Sequence, residues 1–355
     1  MTTILMLGAG GSAASNVLDA LRLSNPDLDV VGADCSPIHL HLSRADTRVV
    51  VPRAGEDGYL GALSATVMKY GVELIHAQPD PDVRVLGAIR GRVPARTFLP
   101  SQEALDVAGE KASFNAAMHS AGVPAPETIS FANSEELRSG VASLVSRFGR
   151  AWVRARVGAG SRGALPVRSA GQAIAWVEWW AAERGLGAGD FVASEYLPGR
   201  EFAYESVWQN GRLVAAQARE RLEYFYGHVT PSGQTSSAAV ARTVRDERVD
   251  LLGQDAVLAL DASPQGVYHV DMKEAIDGTL KVTEINAGRF PTTCNFFAHA
   301  GLNLPALYLR CALGEELSSG ESSPLPPDLY WIRMVDMGYR LVPADELDAW
   351  PRPCP

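Results

Sequence analysis

The sequence predicts an α/β protein of two or three packed domains that opens on a parallel sheet. Its 355 residues exceed the size at which a single core keeps growing. The first hundred residues alternate short apolar runs with helical patterns, the order that builds a parallel sheet covered by helices. A glycine-rich turn, GAGGSAA, follows the first apolar run and opens the first helical one.

The elements follow in order. ILMLGA (4–9), DVVGAD (29–34) and VELIHAQ (72–78) read as strands, with NVLDALRL and YLGALSATVMKYG as the helices between them. Gly8, Gly10 and Ala13 fit the G-x-G-x-x-A form of the dinucleotide fingerprint, and Asp34 lies about 20 residues on, where a ribose-binding acid is expected. A structural Rossmann-like turn without a dinucleotide accounts for the same residues. Ser101 is placed to cap a helix, and the next helix carries Lys111, Phe114 and Met118 before AGVPAP stops it. AWVRARVGAGSRGALPV (151–167) reads as strand, glycine-rich loop and strand, followed by the helix QAIAWVEWWAAERG. Trp176, Trp179 and Trp180 recur at i, i+3 and i+4 in it, the spacing of a packed core face. Strands FVASEYL, REFAYESVW and RLVAAQARE come next, then a polar loop at 224–242, a helix near 246–261, and the strand pair GVYHVDMKEAI and LKVTEIN. SSGESSPLPP (318–327) and PRPCP read as surface linker and tail.

Composition narrows the function. Hydrophobic residues are 46% of the chain and charged residues 21%, a globular balance that excludes wholesale disorder. Glycine, 33 of 355 residues, stands somewhat above the roughly 7% typical of proteins, so tight turns or close backbone approaches to a ligand are expected. The 32 Lys and Arg against 41 Asp and Glu leave a charge of −9, the wrong sign for a general nucleic-acid binder. Any phosphate chemistry must therefore rest on a few local cations or a metal ion. Cys35, Cys294, Cys311 and Cys354 form no C-x-x-C pair and read as reduced thiols. MTTILMLGAGG lacks the charged start of a signal peptide, and no window approaches the ~20 apolar residues of a membrane helix. A soluble cytoplasmic protein with no nucleic-acid or membrane partner is expected.

Chemistry-bearing residues gather in a few segments. The loop GAGSRG (158–163) lies between strands and lacks the Lys-Ser/Thr ending of a P-loop, yet such a hairpin can lay backbone N–H groups over phosphates. Arg154 precedes it and Lys111 supplies a second cation; each also reads as a solvated surface residue. In VTEIN, alternation puts Glu284 and Asn286 on one face. If Asp271 of the neighbouring strand stands opposite, three oxygen-bearing side chains converge, the kind of donor Mg²⁺ takes; a satisfied polar face on an edge strand is the other reading. Within 215–244, Arg221 is a candidate for binding a substrate carboxylate and His228 for a substrate contact, against a solvated histidine. Cys294 and His299 show no paired arrangement for nucleophilic catalysis.

In order and spacing, GAGGSAASNVLDALR, GEKASF, AGVPAPET, VRARVGAGSRG, SEYLPGREF, VDMKEAIDGTLKVTEINAGRF and AGLNLPALYLRCALG resemble the ATP-grasp superfamily. They resemble especially its single-unit carboxylate–amine ligases and the large subunit of carbamoyl phosphate synthase, and the resemblance runs over most of the chain. It implies an N-terminal Rossmann-like domain (1–110), then two α+β subdomains that clamp ATP: a small one with the lid (111–190) and a large one with the metal site (191–355). By the resemblance, Lys111 and Arg154 are the cationic phosphate ligands, with Arg where many members have Lys, and Gly158, Gly160 and Ser161 belong to a mobile lid over the β- and γ-phosphates. Glu195, Tyr196 and Leu197 resemble the hinge that meets adenine, and Glu201 the acid that holds the ribose hydroxyls. Asp271, Glu284 and Asn286 resemble the magnesium ligands, Asp271 being shorter than the usual Glu. Arg289 resembles the arginine that steadies an acyl phosphate, although E-x-N-x-R here becomes EINAGR, one residue longer.

The implied activity is ATP- and Mg²⁺-dependent ligation of a small-molecule carboxylate to an amine through an acyl phosphate, releasing ADP and phosphate. Activation of bicarbonate or a carbamate, an NAD-dependent oxidoreductase built on GAGGSAA, and a nucleotide-binding protein without turnover remain as alternatives. Assembly as a homodimer is left open.

Overall fold

The computed structural model describes residues 2–158, 163–235, 237–333, 335 and 350–351. Its strands form one parallel and two antiparallel sheets. The parallel sheet holds β1 (Thr3–Leu7), β2 (Asp29–Asp34), β3 (Thr47–Val50), β4 (Leu74–Ala77) and β5 (Arg96–Thr97) in the order β3-β2-β1-β4-β5. Helices α1 (Ser12–Ser24), α2 (Pro37–Leu40), α3 (Tyr59–Tyr70) and α4 (Asp80–Ile89) connect these strands. Ile4, Leu5, Met6 and Leu7 are all buried, so both faces of the central strand are covered and its run is apolar throughout.

The turn after β1 abuts the turn after β4. Gly8 has φ +71°, and a Cβ there would lie 2.4 Å from Pro79 Cγ, so only glycine fits. Asp34 spends its carboxylate on the chain itself, accepting from the backbone N–H of Gly10 at 3.0 Å and of Ser36 at 2.9 Å. At this C-terminal edge, between β1 and β4, open α/β sheets bind their ligands.

Helices α5 (Gln102–Ala108), capped by the Ser101 side chain as expected, and α6 (Lys111–Ser120) lead to the second sheet. It contains β6 (Thr128–Ser130), β7 (Ala151–Ala155), β8 (Leu165–Val167) and β9 (Phe191–Glu195), antiparallel in the order β6-β9-β7-β8. Helices α7 (Ser134–Phe148) and α8 (Ala170–Arg184) close its core. One of the three tryptophans of α8 departs from the expected core face. Ala173 and Val177 are buried and Trp176 and Trp180 pack against the same core, whereas Trp179 is 47% exposed and stacks on Trp176 at 5.6 Å. Helical spacing marks a face but not how far the cover extends across it.

The third sheet runs β14-β13-β10-β11-β12-β15, from β10 (Glu201–Gln209), β11 (Arg212–Tyr224), β12 (Ala238–Thr243), β13 (Gly266–Glu274), β14 (Leu280–Ala287) and β15 (Tyr330–Ile332). Helix α9 (Glu247–Leu260) packs on one face, and α10 (Cys294–His299) with α11 (Leu304–Ala312) pack between this sheet and α1. β11 outruns its expected length and β12 begins inside the stretch read as loop, because β11 is paired on both sides. SSGESSPLPP is not a free surface linker: Ser322 bridges Ala216, and Ser323 and Leu325 are buried against β11. Cys35, Cys294 and Cys311 are free thiols. Among the described residues, no helix is long and apolar enough to cross a membrane.

Candidate active site

All three sheets contribute walls to one cavity of about 540 Å³. Gln78, Pro79 and Asp80 enter from the parallel sheet; Trp152, Arg154, Ser194 and Glu195 from the second; Glu201, Arg221, His269, Asp271, Lys273, Glu284 and Asn286 from the third. A second, more apolar cavity of about 670 Å³ abuts it and shares Asp80, Lys111, Gly158, Glu284 and Asn286.

Lys111 stands at the first turn of α6, whose N-cap is Glu110. The Glu110 carboxylate accepts from the backbone N–H of Ala112 and Ser113 at 3.0 and 2.9 Å and pairs with Arg156 at 3.1 Å. The Lys111 N–H donates to the Arg156 carbonyl, tying the helix start to the end of β7. Lys111 Nζ then donates to the Gly158 carbonyl at 2.8 Å. Burial, with the positive charge of Arg154 beside it, pushes the Lys111 ammonium down to about 8.

Arg154 lies on the alternating face of β7 that looks into the cavity. Its Nη1 donates to Glu284 at 3.3 Å and its Nη2 to the Thr283 carbonyl at 3.0 Å, while the buried Nε has no protein partner. An unpaired buried N–H is costly. The oxygen of an anion such as phosphate would satisfy it.

The register of β13 and β14 sets Asp271 directly opposite Glu284, with a bulge between Asp271 and Met272. Like charges so placed repel, and each has its own cation: Arg154 on Glu284, Arg221 on Asp271. Burial opposes the charge of Asp271, yet the Arg221 guanidinium prevails and holds its carboxyl well below the usual carboxylate range. Asn286 Nδ2 lies 3.4 Å from Asp271. No group of three His, Cys, Asp or Glu gathers to hold a metal among the described residues. Two acids and an amide oxygen still suit Mg²⁺, which keeps waters and phosphate oxygens in its other positions.

Toward the other end, Glu195, Tyr196 and Leu197 line the wall where β9 ends. Glu195 accepts from Lys281 Nζ at 2.6 Å. Glu201 receives four donors: Arg221 at 3.1 Å, Gln234 at 2.7 Å, Lys273 at 3.4 Å and the Tyr224 hydroxyl. A carboxylate offers about four lone-pair sites, so a ribose contact would displace one of these.

Lys111, Arg154, Gly158, Glu195, Tyr196, Leu197, Glu201, Arg221, Asp271, Glu284, Asn286 and Arg289 thus all line one cavity. Gly160 and Ser161 lie outside the described residues. The two substrate candidates differ in placement. His228, in a short 3₁₀ turn (Gly227–Val229), is exposed and does not line the cavity. Arg221 is in the wall, but its guanidinium is taken up by Glu201, Asp271 and His269, so a substrate carboxylate would have to compete with the Glu201 and Asp271 carboxylates. Burial drives the His269 imidazole down to about 4 and keeps it neutral.

Sequence reasoning missed Gln78, Asp80, Lys273 and His269. The first two follow the strand VELIHA at the carboxyl edge of the parallel sheet, where ligand sites are expected. Lys273 and His269 flank Asp271 at i±2 and share its face by alternation.

No family model matches the sequence, and no curated protein matches it. Solved structures do. N5-carboxyaminoimidazole synthase from Aspergillus clavatus, determined with ADP and 5-aminoimidazole ribonucleotide, is 18% identical with a TM-score of 0.66 over 90% of this chain and 78% of its own. The biotin carboxylase domain dimer of Hydrogenobacter thermophilus 2-oxoglutarate carboxylase, with MgADP, ADP and bicarbonate, is 16% identical at 0.68 over 92% and 73%. L-amino acid ligase from Bacillus licheniformis is 15% identical at 0.65 over 92% and 78%.

Proposed function

We propose that this chain, which has the ATP-grasp fold, is an ATP- and Mg²⁺-dependent ligase that activates a carboxylate as an acyl phosphate and passes it to an amine-type nucleophile, releasing ADP and phosphate. One observation carries the reading: Lys111, Arg154, Asp271, Glu284, Asn286 and Arg289 line the same cavity as the 195–197 hinge. The chain is assigned to an N-terminal domain (1–110), a small subdomain (111–190), whose sheet takes in β9 (Phe191–Glu195) as well, and a large subdomain (191–355), the last two holding ATP between them.

Adenine would lie against Tyr196 and Leu197 and the hinge backbone. Lys111 and Arg154 would take the phosphates, Arg154 through the Nε that has no protein partner. Asp271, Glu284 and Asn286 would hold Mg²⁺, which supplies charge neutralisation to the polyphosphate. Phosphoryl transfer needs little more than positioning and charge stabilisation, and Arg289, a permanent cation beside Asn286, would steady the phosphate passed to the carboxylate. The acidic chain would thus accept a polyanion through local cations rather than its overall field.

The test presents pooled small carboxylates with ATP, Mg²⁺ and hydroxylamine. ADP together with a trapped hydroxamate is the expected product pair. AMP and pyrophosphate would refute the acyl phosphate route.

A further inference from the structure

We propose that the turn Gln78–Pro79–Asp80 of the parallel sheet is part of the catalytic apparatus, with Asp80 a positioning residue for the guanidinium of Arg289 and Gln78 one for its backbone. This rests on the phosphoryl-transfer reading of the same cavity.

The extra residue of EINAGR is absorbed by a bend. β14 ends at Ala287, and Gly288 turns the chain at φ +81°, where a Cβ would come within 2.8 Å of Val83. Arg289 then directs its guanidinium between Asn286 Oδ1 and the Asp80 carboxylate, with Nη2 3.3 Å from Asp80 Oδ2 and Nε bonded to Oδ1. An isolated ion pair at the surface is a weak constraint, and Asp80 is 44% exposed.

The second anchor removes the slack. Gln78 pairs its amide with both backbone groups of Phe290, the residue after Arg289: Oε1 accepts from the N–H at 3.0 Å and Nε2 donates to the carbonyl at 3.1 Å. The Phe290 N–H identifies Oε1 as an acceptor, so His76 Nε2, 2.9 Å away, carries the proton. Burial drives the His76 imidazole down to about 4, keeping it neutral, and the Tyr308 hydroxyl stands 3.1 Å from its other nitrogen. One turn of the parallel sheet therefore holds Arg289 at two points, the backbone that follows it and the charged head. The aim of the arginine is set by a domain distant in sequence from the E-x-N motif.

A thermodynamic cycle tests this with two probes, MgADP and the Mg²⁺ complex of the β,γ-imido analogue of ATP, titrated calorimetrically. Wild type, Asp80→Asn, Arg289→Met and the double variant are compared, with urea unfolding to confirm the fold of each. Asp80→Asn is expected to bind MgADP as wild type does and to bind the imido analogue about fivefold more weakly, one unit-charge contact's worth, because Arg289 loses the anchor that aims it at the terminal phosphate. In the Arg289→Met background that loss should vanish, and Asp80→Glu should restore the wild-type ratio. The same loss in both backgrounds, or no loss at all, would overturn the positioning role. A parallel fall for both nucleotides would overturn it too, leaving Asp80 merely structural. Wild type that binds neither nucleotide would instead refute the nucleotide reading itself.

Discussion

Lys111 makes the site's charge depend on pH within an accessible range. Its folded value of about 8 lies below that of an unfolded lysine. Between about 8 and 10.5 the unfolded chain therefore binds more protons, and this residue's destabilising effect, full below that window, fades as pH rises through it. Nucleotide phosphates would return the proton to Lys111. Affinity for MgADP is thus expected to fall above pH 8, toward about tenfold per unit, with proton uptake on binding seen by calorimetry in buffers of different ionisation enthalpy. Lys111→Met should abolish both effects; persistence of the slope would show that another group titrates. Glu284 and Asn286 were legible as a same-face pair from alternation alone. The saturation of Glu201 and the capture of Arg221 were not, since neither partner is close in sequence to the carboxylates involved.

Between β14 and the arginine it presents, a single glycine decides the path. Gly288 combines a left-handed φ with a site where an added Cβ would crowd Val83, Leu105 and Leu99. Gly288→Ala is expected to cost about 1–3 kcal/mol in urea unfolding. Because the bend feeds Arg289, the same variant should lose the preference for the imido analogue over MgADP. A variant as stable as wild type would mean that the bend relaxes freely. Element type was readable wherever period was strong: β1, β4, α9 and the β13–β14 pair fall where their patterns put them. The β13–β14 register was not readable, because alternation is indifferent to which partner residue stands opposite. The tryptophans of α8 show the same limit, since spacing marks one face and the core covers Trp176 and Trp180 but leaves Trp179 exposed.

Three sheets meeting at one cavity make ligand binding a whole-molecule event. A ligand that contacts each of them stabilises all of them by mass action, by about 2.7 kcal/mol at a hundredfold excess over its dissociation constant. Thermal unfolding should therefore shift upward with MgADP, and by less when Mg²⁺ is chelated; equal shifts would remove the metal from the site. The C-terminal segment adds another tie, with the Pro351 carbonyl accepting from Val50 N–H and the Trp350 ring tilted against His41, centroids 4.8 Å apart. By itself the sequence determined the period of each element, the glycine positions where the backbone must turn, and the order of segments that resembles one superfamily. Those properties are local: they follow from alternation, helical repeat and the absence of a Cβ. Only the tertiary structure decided that Asp271 faces Glu284, that Arg221 is already paired, and that the parallel sheet reaches Arg289 through Gln78 and Asp80. These depend on register and on packing between distant segments, which no local pattern encodes.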